Sequence, residues 1–289
     1  MSADKYTKLT KDEFYKEFFF NRMLGILTEE EVEKLKNSTV AVAGSGGGGG
    51  ITAERLVRLG IGHIKLADIE TFEPSNANRQ HACTSKTIGK EKVKVVAESL
   101  REINPYLEID VFNEGVQEDN IHRFLDGADV LIDEVEGFYL RIRAFLHAEA
   151  RRKGIYAMRS DTFAFSAPLW VFAPDGMSFE EFWHLPDAES ISHNADDFMN
   201  YFTPEYAARM FMDDIKAGGI SEELAMDVIT KKRPLPTLSF GCSLIATLVC
   251  NEALNVLLKK YQRLVVVPKC INVDLYNHKF VIKNFEHNE

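Results

Sequence analysis

The chain has 289 residues, of which 45% are hydrophobic and 27% are charged, and its formal net charge at pH 7 is −10. This length and apolar content predict one large α/β domain with an insertion, or two modest domains, with a sizeable core. The acidic charge argues against broad binding to nucleic-acid phosphates, because such binding needs a basic face.

The cysteines point to an intracellular protein without a structural zinc. The four of them, Cys83, Cys242, Cys250 and Cys270, form no C-x-x-C pair, so the sequence predicts neither a zinc ribbon nor a thioredoxin-like site. Unpaired thiols favour a reducing, cytoplasmic setting. The polar N-terminus lacks the pattern of an export signal, and no apolar run approaches the length of a membrane span.

The first 36 residues predict a helical arm. Thr10 and Thr28 each precede acidic residues in the pattern that begins a helix. Three phenylalanines at positions 18–20 are expected to anchor this arm on the core. Arg22 follows them, and from the residues alone it is a surface charge.

A glycine-rich turn between a strand and a helix is the most informative stretch. Residues 39–43 form a short β-branched alternation, and apolar residues recur at helical spacing over 51–59. Gly44, Gly46 and Gly49 fit the pattern G-x-G-x-x-G. Without Cβ atoms, a phosphate can approach the N–H groups at the start of the helix. The pattern predicts a nucleotide site, although a flexible turn in an ordinary α/β protein has the same composition.

A second predicted strand, residues 64–68, ends in Asp68. Dinucleotide-binding folds place an acidic side chain about twenty residues beyond the glycines, where it accepts hydrogen bonds from ribose hydroxyls. A strand-terminal aspartate also caps turns, so both roles stay open for Asp68.

Long polar side chains follow at Asn76, Arg79 and Gln80. A nicotinamide needs an apolar ring pocket, so these residues argue against a dehydrogenase. Guanidinium and amide groups suit a triphosphate instead. Lys92 begins a helical pattern that runs to about residue 103 and adds a positive charge; in isolation it is typical of a solvated helix lysine.

Carboxylates end a further predicted strand, residues 128–133. Open α/β sheets bind ligands at the carboxyl ends of their strands, and carboxylates there can hold Mg²⁺ against phosphates. The candidates are Asp133 and Glu136. The remaining predicted elements are strands at 107–112, 154–158 and 168–172 and a helix at 138–153.

In their order and spacing, these motifs resemble those of the ThiF/MoeB/HesA adenylyltransferases, bacterial relatives of the ubiquitin-activating enzymes. The resemblance covers about residues 18–172 and returns more weakly at 237–260. The matching motifs are Gly44-x-Gly46-Gly47-x-Gly49, Asp68-Ile-Glu70, Ser75-Asn76-x-x-Arg79-Gln80, Ile88-Gly-x-x-Lys92, Ile103-Asn-Pro105 and Val130-Leu-Ile-Asp133.

The resemblance implies a single ThiF-type domain over residues 1–289, of class α/β. Its fold is a Rossmann-like, mostly parallel sheet flanked by helices. The expected parts are a helical arm (1–36), a nucleotide-binding core (37–174), a helical insertion (175–236), and a C-terminal helix with strands that return to the core (237–289).

The resemblance also implies an activity: members bind ATP and Mg²⁺ and adenylate a carboxylate, typically the C-terminal glycine of a ubiquitin-like sulfur carrier, with release of pyrophosphate. Carried over by position, Asp68 holds the ribose, and Glu70 is a further candidate for binding the nucleotide. Asn76, Arg79 and Gln80 approach the phosphates, and Lys92 neutralises their charge.

An arginine from the N-terminal arm reaches the partner subunit's site in this family. Arg22 is the candidate here, and it implies a homodimer.

Three departures from the family pattern stand out. The family usually has Asp-x-x-Asp-Asn where this chain has Asp133-Glu-Val-Glu136-Gly137, so Glu136 is one methylene longer than the expected metal ligand. The frequent zinc module is missing. Residues 175–236 replace the usual crossover region with a mainly helical, aromatic- and methionine-rich segment. It covers the active-site mouth or forms the substrate groove, or else it adds a core-building subdomain.

Some relatives pass the activated acyl group to a cysteine. Cys242 lies at the start of a predicted helix, where a thiol pKa is lowered. An apolar stripe on the same helix favours the other explanation, a small cysteine buried against the sheet. Cys83 lies nearer the expected chemistry, in a segment expected to be mobile.

The sequence therefore predicts an ATP-dependent adenylyltransferase. The carboxylate belongs to a carrier protein, a peptide or a small acid. One alternative is a catalytically weak nucleotide-binding partner in a hetero-complex, and a less favoured one is an NAD-dependent oxidoreductase. Nucleic acid is an unfavoured partner, although tRNA stays open because some zinc-free relatives modify it.

Overall fold

The structure is a computed structural model that describes residues 8–162, 165–210 and 219–286. Its strands are β1 (Thr39–Ala43), β2 (His63–Ala67), β3 (Glu108–Phe112), β4 (Val130–Asp133), β5 (Tyr156–Ser160), β6 (Ser166–Phe172), β7 (Lys269–Asp274) and β8 (Lys279–Asn284). They form one sheet in the order β3-β2-β1-β4-β5-β6-β7-β8. The first five in this order pair in parallel, and the last three are antiparallel.

Helices cover both faces of this sheet. They are α1 (Lys11–Phe18), α2 (Glu29–Lys36), α3 (Gly47–Arg58), α4 (Lys92–Ile103), α5 (Ile121–Phe124), α6 (Leu140–Arg152), α7 (Phe179–Trp183), α8 (Pro204–Met210), α9 (Glu222–Ile229) and α10 (Ser239–Leu257). The predicted capping boxes at Thr10 and Thr28 begin α1 and α2.

Strand β1 shows why the core has two halves. Val40 and Val42 contribute to a core with α3, α4 and α10, whereas Ala41 and Ala43 contribute to a second core on the opposite face. Side chains alternate between the faces of a strand, and parallel strands covered on both faces are apolar throughout. The predicted α/β fold, with a mostly parallel sheet between helices, is confirmed.

The chain order places a switch point between β1 and β4. From β1, the chain continues outward to β2 and β3 and then returns to the other side of β1 as β4. Open α/β sheets bind ligands in the crevice at this point.

Helix α10 corrects one expectation. It is 19 residues long and apolar enough, by length and composition, to cross a membrane, so the expectation that no apolar run approaches this length is wrong. Its Ile245, Val249 and Ala253 are buried in the first core, and packing there accounts for the composition.

The segment between β6 and α10 contributes to the second core. It contains α7, α8, α9 and two 3₁₀ turns, at Ala188–Ser190 and Ala195–Asn200. Trp183 of α7 packs edge-on against Trp170 of β6, with ring centroids 5.1 Å apart.

Arg141 of α6 fastens the first 3₁₀ turn. Its Nη1 donates to the carbonyl oxygens of Ala188, Glu189 and Ile191 at 2.7–3.2 Å. The segment is thus held beside the carboxyl ends of the parallel strands.

Candidate functional site

A cavity of about 990 Å³ opens where β1, β2 and β4 end. It therefore lies at the switch point, where the fold places its ligand. Most of the predicted nucleotide-site residues line it: Gly44, Gly46, Gly47, Asp68, Glu70, Asn76, Arg79, Gln80, Lys92 and Glu136. Gly49, Asp133 and Arg22 are not among its lining residues.

The glycine-rich turn is constrained at two positions by the approach of other backbone. Gly44 has a φ of +106°, and a Cβ on it would lie 2.4 Å from the carbonyl oxygen of Glu134. A Cβ on Gly49 would lie 1.9 Å from the carbonyl oxygen of Gly44. Gly49 thus shapes the turn without lining the cavity. Helix α3 begins at Gly47, so its first N–H groups are available to an anion at the cavity.

Asp68 holds the glycine-rich turn from the neighbouring strand. Its Oδ2 accepts hydrogen bonds from the Ser45 backbone N at 2.7 Å and from Ser45 Oγ at 3.0 Å. Its Oδ1 accepts from the Glu70 backbone N at 2.8 Å. The turn-capping role is thus present in the structure, and the ribose role stays a prediction.

Lys92 and Glu70 form an ion pair at the cavity, with Nζ and Oε2 2.5 Å apart. Lys92 is only 3% exposed, so it differs from a solvated helix lysine. The Glu70 side chain is 60% exposed. The cavity wall therefore carries the exposed Glu70 carboxylate beside the buried Lys92 ammonium.

The predicted phosphate-binding side chains meet beside the glycine-rich turn. Arg79 Nη1 donates to the Ser75 carbonyl and to Asn78 Oδ1, at 3.0 and 2.9 Å. Neither acceptor is a carboxylate, so the guanidinium charge is not neutralised by these contacts. Gln80 Oε1 is buried without a hydrogen-bond partner, and a buried unsatisfied polar atom is typical of a site completed by a ligand or water.

Asp133 lies in a buried network behind the cavity. Its Oδ2 accepts from Arg143 Nε at 3.2 Å and pairs with His147 Nε2 at 3.0 Å, and its Oδ1 lies 3.6 Å from Arg159 Nη1. Burial by itself raises the pKa of Asp133, but the two guanidinia outweigh it and hold that pKa well below its usual range.

The two predicted metal ligands are therefore separated. Glu136 lines the cavity and Asp133 does not. Burial raises the pKa of Glu136, and the nearby Glu70 charge adds to the effect. Across the described ranges, no group of three or more His, Cys, Asp or Glu side chains is arranged to hold a metal. A metal role for Glu136, and still more for Asp133, stays a prediction.

Glu134 is a cavity residue that sequence reasoning missed. Its Oε1 is buried without a hydrogen-bond partner, and its Oε2 lies 2.1 Å from where a Cβ on Gly48 would be. Burial raises the pKa of Glu134 well above its usual range. The glycine run therefore makes room for this carboxyl as well as for a phosphate.

A second cavity, of about 550 Å³, adjoins the first. The two share a wall that includes Arg79, Glu134, Glu136 and Phe138. The rest of the second cavity is lined by Arg159 of β5 and Asp161 just after it, by Gly137, by Met210 of α8, and by α9 with the segment that follows it. Residues of the predicted insertion thus line both cavities, beside the contribution they make to the core.

Cys242 is a buried packing residue rather than an activated nucleophile. It is 1% exposed, and its Sγ lies 2.8 Å from where a Cβ on Gly47 would be. Burial raises the pKa of this thiol to about 11, and the Glu134 charge adds to the effect. The helix start therefore yields no thiolate here. Cys83 is partly exposed, and burial raises its pKa too.

Arg22 ends a 3₁₀ turn, Phe20–Arg22, and is exposed. Because it lines neither cavity, it can serve a site only if that site belongs to another copy. This role stays a prediction.

Comparison with known proteins places the chain in one family. A family model described as the ThiF family matches residues 20–289. A tRNA threonylcarbamoyladenosine dehydratase of Bacillus subtilis (strain 168) is 38% identical over 115 residues, which are 39% of this chain and 45% of that protein. The chain spans about half the length of the curated relatives it matches.

Two solved structures show the same fold at low identity. The E. coli tRNA N6-threonylcarbamoyladenosine dehydratase TcdA has a TM-score of 0.61 and 19% identity, over 88% of this chain and 98% of that one. E. coli MccB with ATP has a TM-score of 0.62 and 18% identity, over 88% of this chain and 65% of that one. At these identities the likeness concerns the fold.

Proposed function

The chain belongs to the ThiF family, and we propose that it is an ATP-dependent adenylyltransferase that activates a carboxylate as an acyl-adenylate and releases pyrophosphate. The observation that carries the proposal is the cavity at the switch point, where a glycine-rich helix start, Arg79 and the buried Lys92 converge. A helix N-terminus with two cations suits a triphosphate.

The residues present fit ATP. Gln80 has an unsatisfied buried amide oxygen, and Gly46 and Gly47 leave the start of α3 open at the cavity. In the proposed reaction, a carboxylate oxygen attacks the α-phosphorus, the bond to the bridging oxygen breaks, and pyrophosphate leaves. Arg79 and Lys92 stabilise the negative charge that develops on the leaving oxygens, which is the main way proteins accelerate such transfers.

Mg²⁺ is expected to share this work by neutralising phosphate charge when it is bound. Proteins often hold Mg²⁺ through one or two carboxylates together with phosphates and water, so Glu136 is a sufficient candidate without a preformed cage. Because burial raises the pKa of Glu136, its contribution is expected to weaken on acidification at a higher pH than that of an ordinary glutamate.

ATP–pyrophosphate exchange with Mg²⁺ tests the proposal. The panel of acids contains carrier-protein tails, short peptides and small carboxylic acids. Lys92→Ala should lose exchange. Lys94→Ala should keep it, because Lys94 lies on the same helix with a half-exposed side chain paired to Glu91 and lines neither cavity.

Silence across the panel, with ATP binding shown separately, would favour the alternative of a nucleotide-binding partner subunit. A Mg²⁺ titration separates the two readings further. Metal-strengthened ATP affinity supports catalysis, and metal-indifferent affinity supports the partner role.

A tRNA substrate is the second candidate function, favoured by the 38% identity to a tRNA threonylcarbamoyladenosine dehydratase. An ATP-driven dehydration of a carboxylate would use the same first step, because the oxygen that is lost then leaves with AMP when a nucleophile attacks the acyl-adenylate. The net charge of −10 weighs against it, because tRNA binding is largely electrostatic. Adding tRNA to the exchange panel decides the point. We also propose a homodimer, which sedimentation of the purified chain tests.

A further inference from the structure

The second cavity has a part that faces the nucleotide cavity and a part that does not. Arg79, Glu134 and Glu136 belong to the shared wall, whereas Arg159, Asp161, Lys231 and Arg233 line the second cavity alone. In the proposed reaction, the attacking carboxylate must reach the nucleotide and therefore lies at the shared wall. Groups on the unshared part contact the remainder of the acid.

Among the described residues, three cations line the unshared part, and two of them are already neutralised. Arg159 donates from Nε and Nη2 to the two carboxylate oxygens of Asp161, at 2.9 and 2.8 Å, and it also faces Asp133. Lys231 Nζ lies 2.6 Å from Asp196 Oδ1.

Arg233 differs from both. Within the described residues the guanidinium of Arg233 makes no ion pair, the residue is exposed, and its backbone N donates a hydrogen bond to the Asp227 carbonyl oxygen. A guanidinium keeps its charge at any physiological pH and binds carboxylates through two parallel hydrogen bonds. A cation without a partner therefore lines a cavity in a chain whose net charge is −10.

We propose that the second cavity binds a carboxylic acid that carries a second anionic group, and that Arg233 recognises this group. The inference rests on the proposed adenylyltransferase function. The carbon skeleton between the two anions would contact the apolar lining residues Met210, Val228, Ile229 and Leu235. Small dicarboxylic acids and short peptides with an acidic residue near the C-terminus share this chemistry, and the test separates them.

The test compares matched acids in the Mg²⁺-dependent exchange assay. Each small acid and each peptide is supplied in two forms that differ only by a second carboxylate or the corresponding carboxamide. The wild-type chain should prefer the dianionic form by about fivefold in kcat/KM, which is the upper end of what an ion pair at an exposed side chain such as Arg233 contributes. The class of acid, small dicarboxylic acid or peptide, that shows the larger preference for its dianionic form is identified as the substrate class.

Two variants assign the preference to its residue. Arg233→Ala should bring the two forms within about twofold of each other, with KM for ATP unchanged. Lys232→Ala is the matched control, because it removes the neighbouring cation, which is exposed and lines neither cavity. It should keep the full preference.

The possible results separate this inference from the proposed function. Exchange that is equal for both forms, or a raised KM for ATP in Arg233→Ala, would overturn the inference and leave adenylation intact; the second result would place Arg233 on the triphosphate. If no acid supports exchange, titration of the dicarboxylates into the ATP-loaded protein decides the matter. Binding that Arg233→Ala abolishes would support the inference while the adenylation proposal fails, and no binding would refute both.

Discussion

Replacing Asp133 by asparagine separates a structural role from a metal-binding one. The change keeps the size of the side chain and removes its charge from a site where Asp133 and Arg143 are both 0% exposed. Arg159 retains Asp161 as a partner, so the charge left without compensation is that of Arg143. Breaking a buried pair by removing one partner costs about 3–5 kcal/mol. We expect the lower end of this range, because the amide oxygen can still accept a hydrogen bond.

Urea denaturation monitored by tryptophan fluorescence measures this loss. Both tryptophans, Trp170 and Trp183, are buried in the core on the same face as Arg143, so the signal reports on that core. A loss of about 3 kcal/mol is a large share of the 5–15 kcal/mol typical of a domain. Asp126→Asn is the control: its partner is Lys153 at 3.4 Å and its side chain is 75% exposed, and pairs of this kind contribute little.

The pH dependence supplies an independent readout. The folded-state pKa of Asp133 lies below its unfolded value, so the stabilisation is present above about pH 4 and is lost as the pH falls through the folded-state value. Asp133→Asn should lack this acid-dependent part.

The opposite pattern would refute the structural role. If Asp133→Asn retained full stability and needed more Mg²⁺ for exchange, Asp133 would be a metal ligand. Should the variant not fold, the double change with Arg143→Met should recover stability, because it leaves no uncompensated charge.

Three further predictions concern the nucleotide site. Arg79→Ala should raise KM for ATP and lower exchange about tenfold or more, whereas Arg101→Ala, on the exposed end of α4, should not; unchanged exchange would remove Arg79 from the site. Asp68→Ala should weaken ATP binding more than Ser45→Ala does, as measured by equilibrium titration. The reason is that Ser45→Ala removes one contact within the turn and leaves the Asp68 carboxylate in place. Equal effects of the two variants would leave Asp68 with a turn-capping role alone. If Arg22 acts on a second copy, mixing Arg22→Ala with Asp68→Ala chains should restore part of the exchange, and no rescue in a dimer shown by sedimentation would exclude action in trans.

Local patterns were sufficient to predict most of the residues that line the first cavity together. The glycine-rich turn, the strand that ends before Asp68 and the helix that begins at Lys92 each depend on residues close in sequence, and strand and helix periods report on such stretches. Because parallel strands end at one edge of the sheet, these elements converge without any long-range information.

The positions of the carboxylates at the end of β4, Asp133 and Glu134, were not predicted by these local patterns. Leu131 belongs to the second core and Ile132 to the first, so alternation along the strand directs Asp133 towards α6 and Glu134 towards α3. Because Val130, Leu131 and Ile132 are all apolar, the sequence does not show which face each carboxylate takes, and Glu134 could not be identified from it. The arginine and histidine that enclose Asp133 lie 10 and 14 residues further on, on α6, and no motif announces them.

The substrate half depends on contacts between distant residues. Arg141 reaches carbonyl groups 47 to 50 residues away, and Arg233 lines a cavity with residues in and just after β5. When the path of a segment through the fold is unknown, the neighbours of a charged side chain in it are unknown too. The role of that side chain therefore cannot be predicted from spacing along the sequence. The segment meets the first cavity at residues between 191 and 201 and again at Pro234, next to Arg233. Because Arg233 itself does not line that cavity, changes at Arg233 should alter the choice of acid more than they alter ATP binding. A difference of this kind would let related chains keep one nucleotide site and vary the acid.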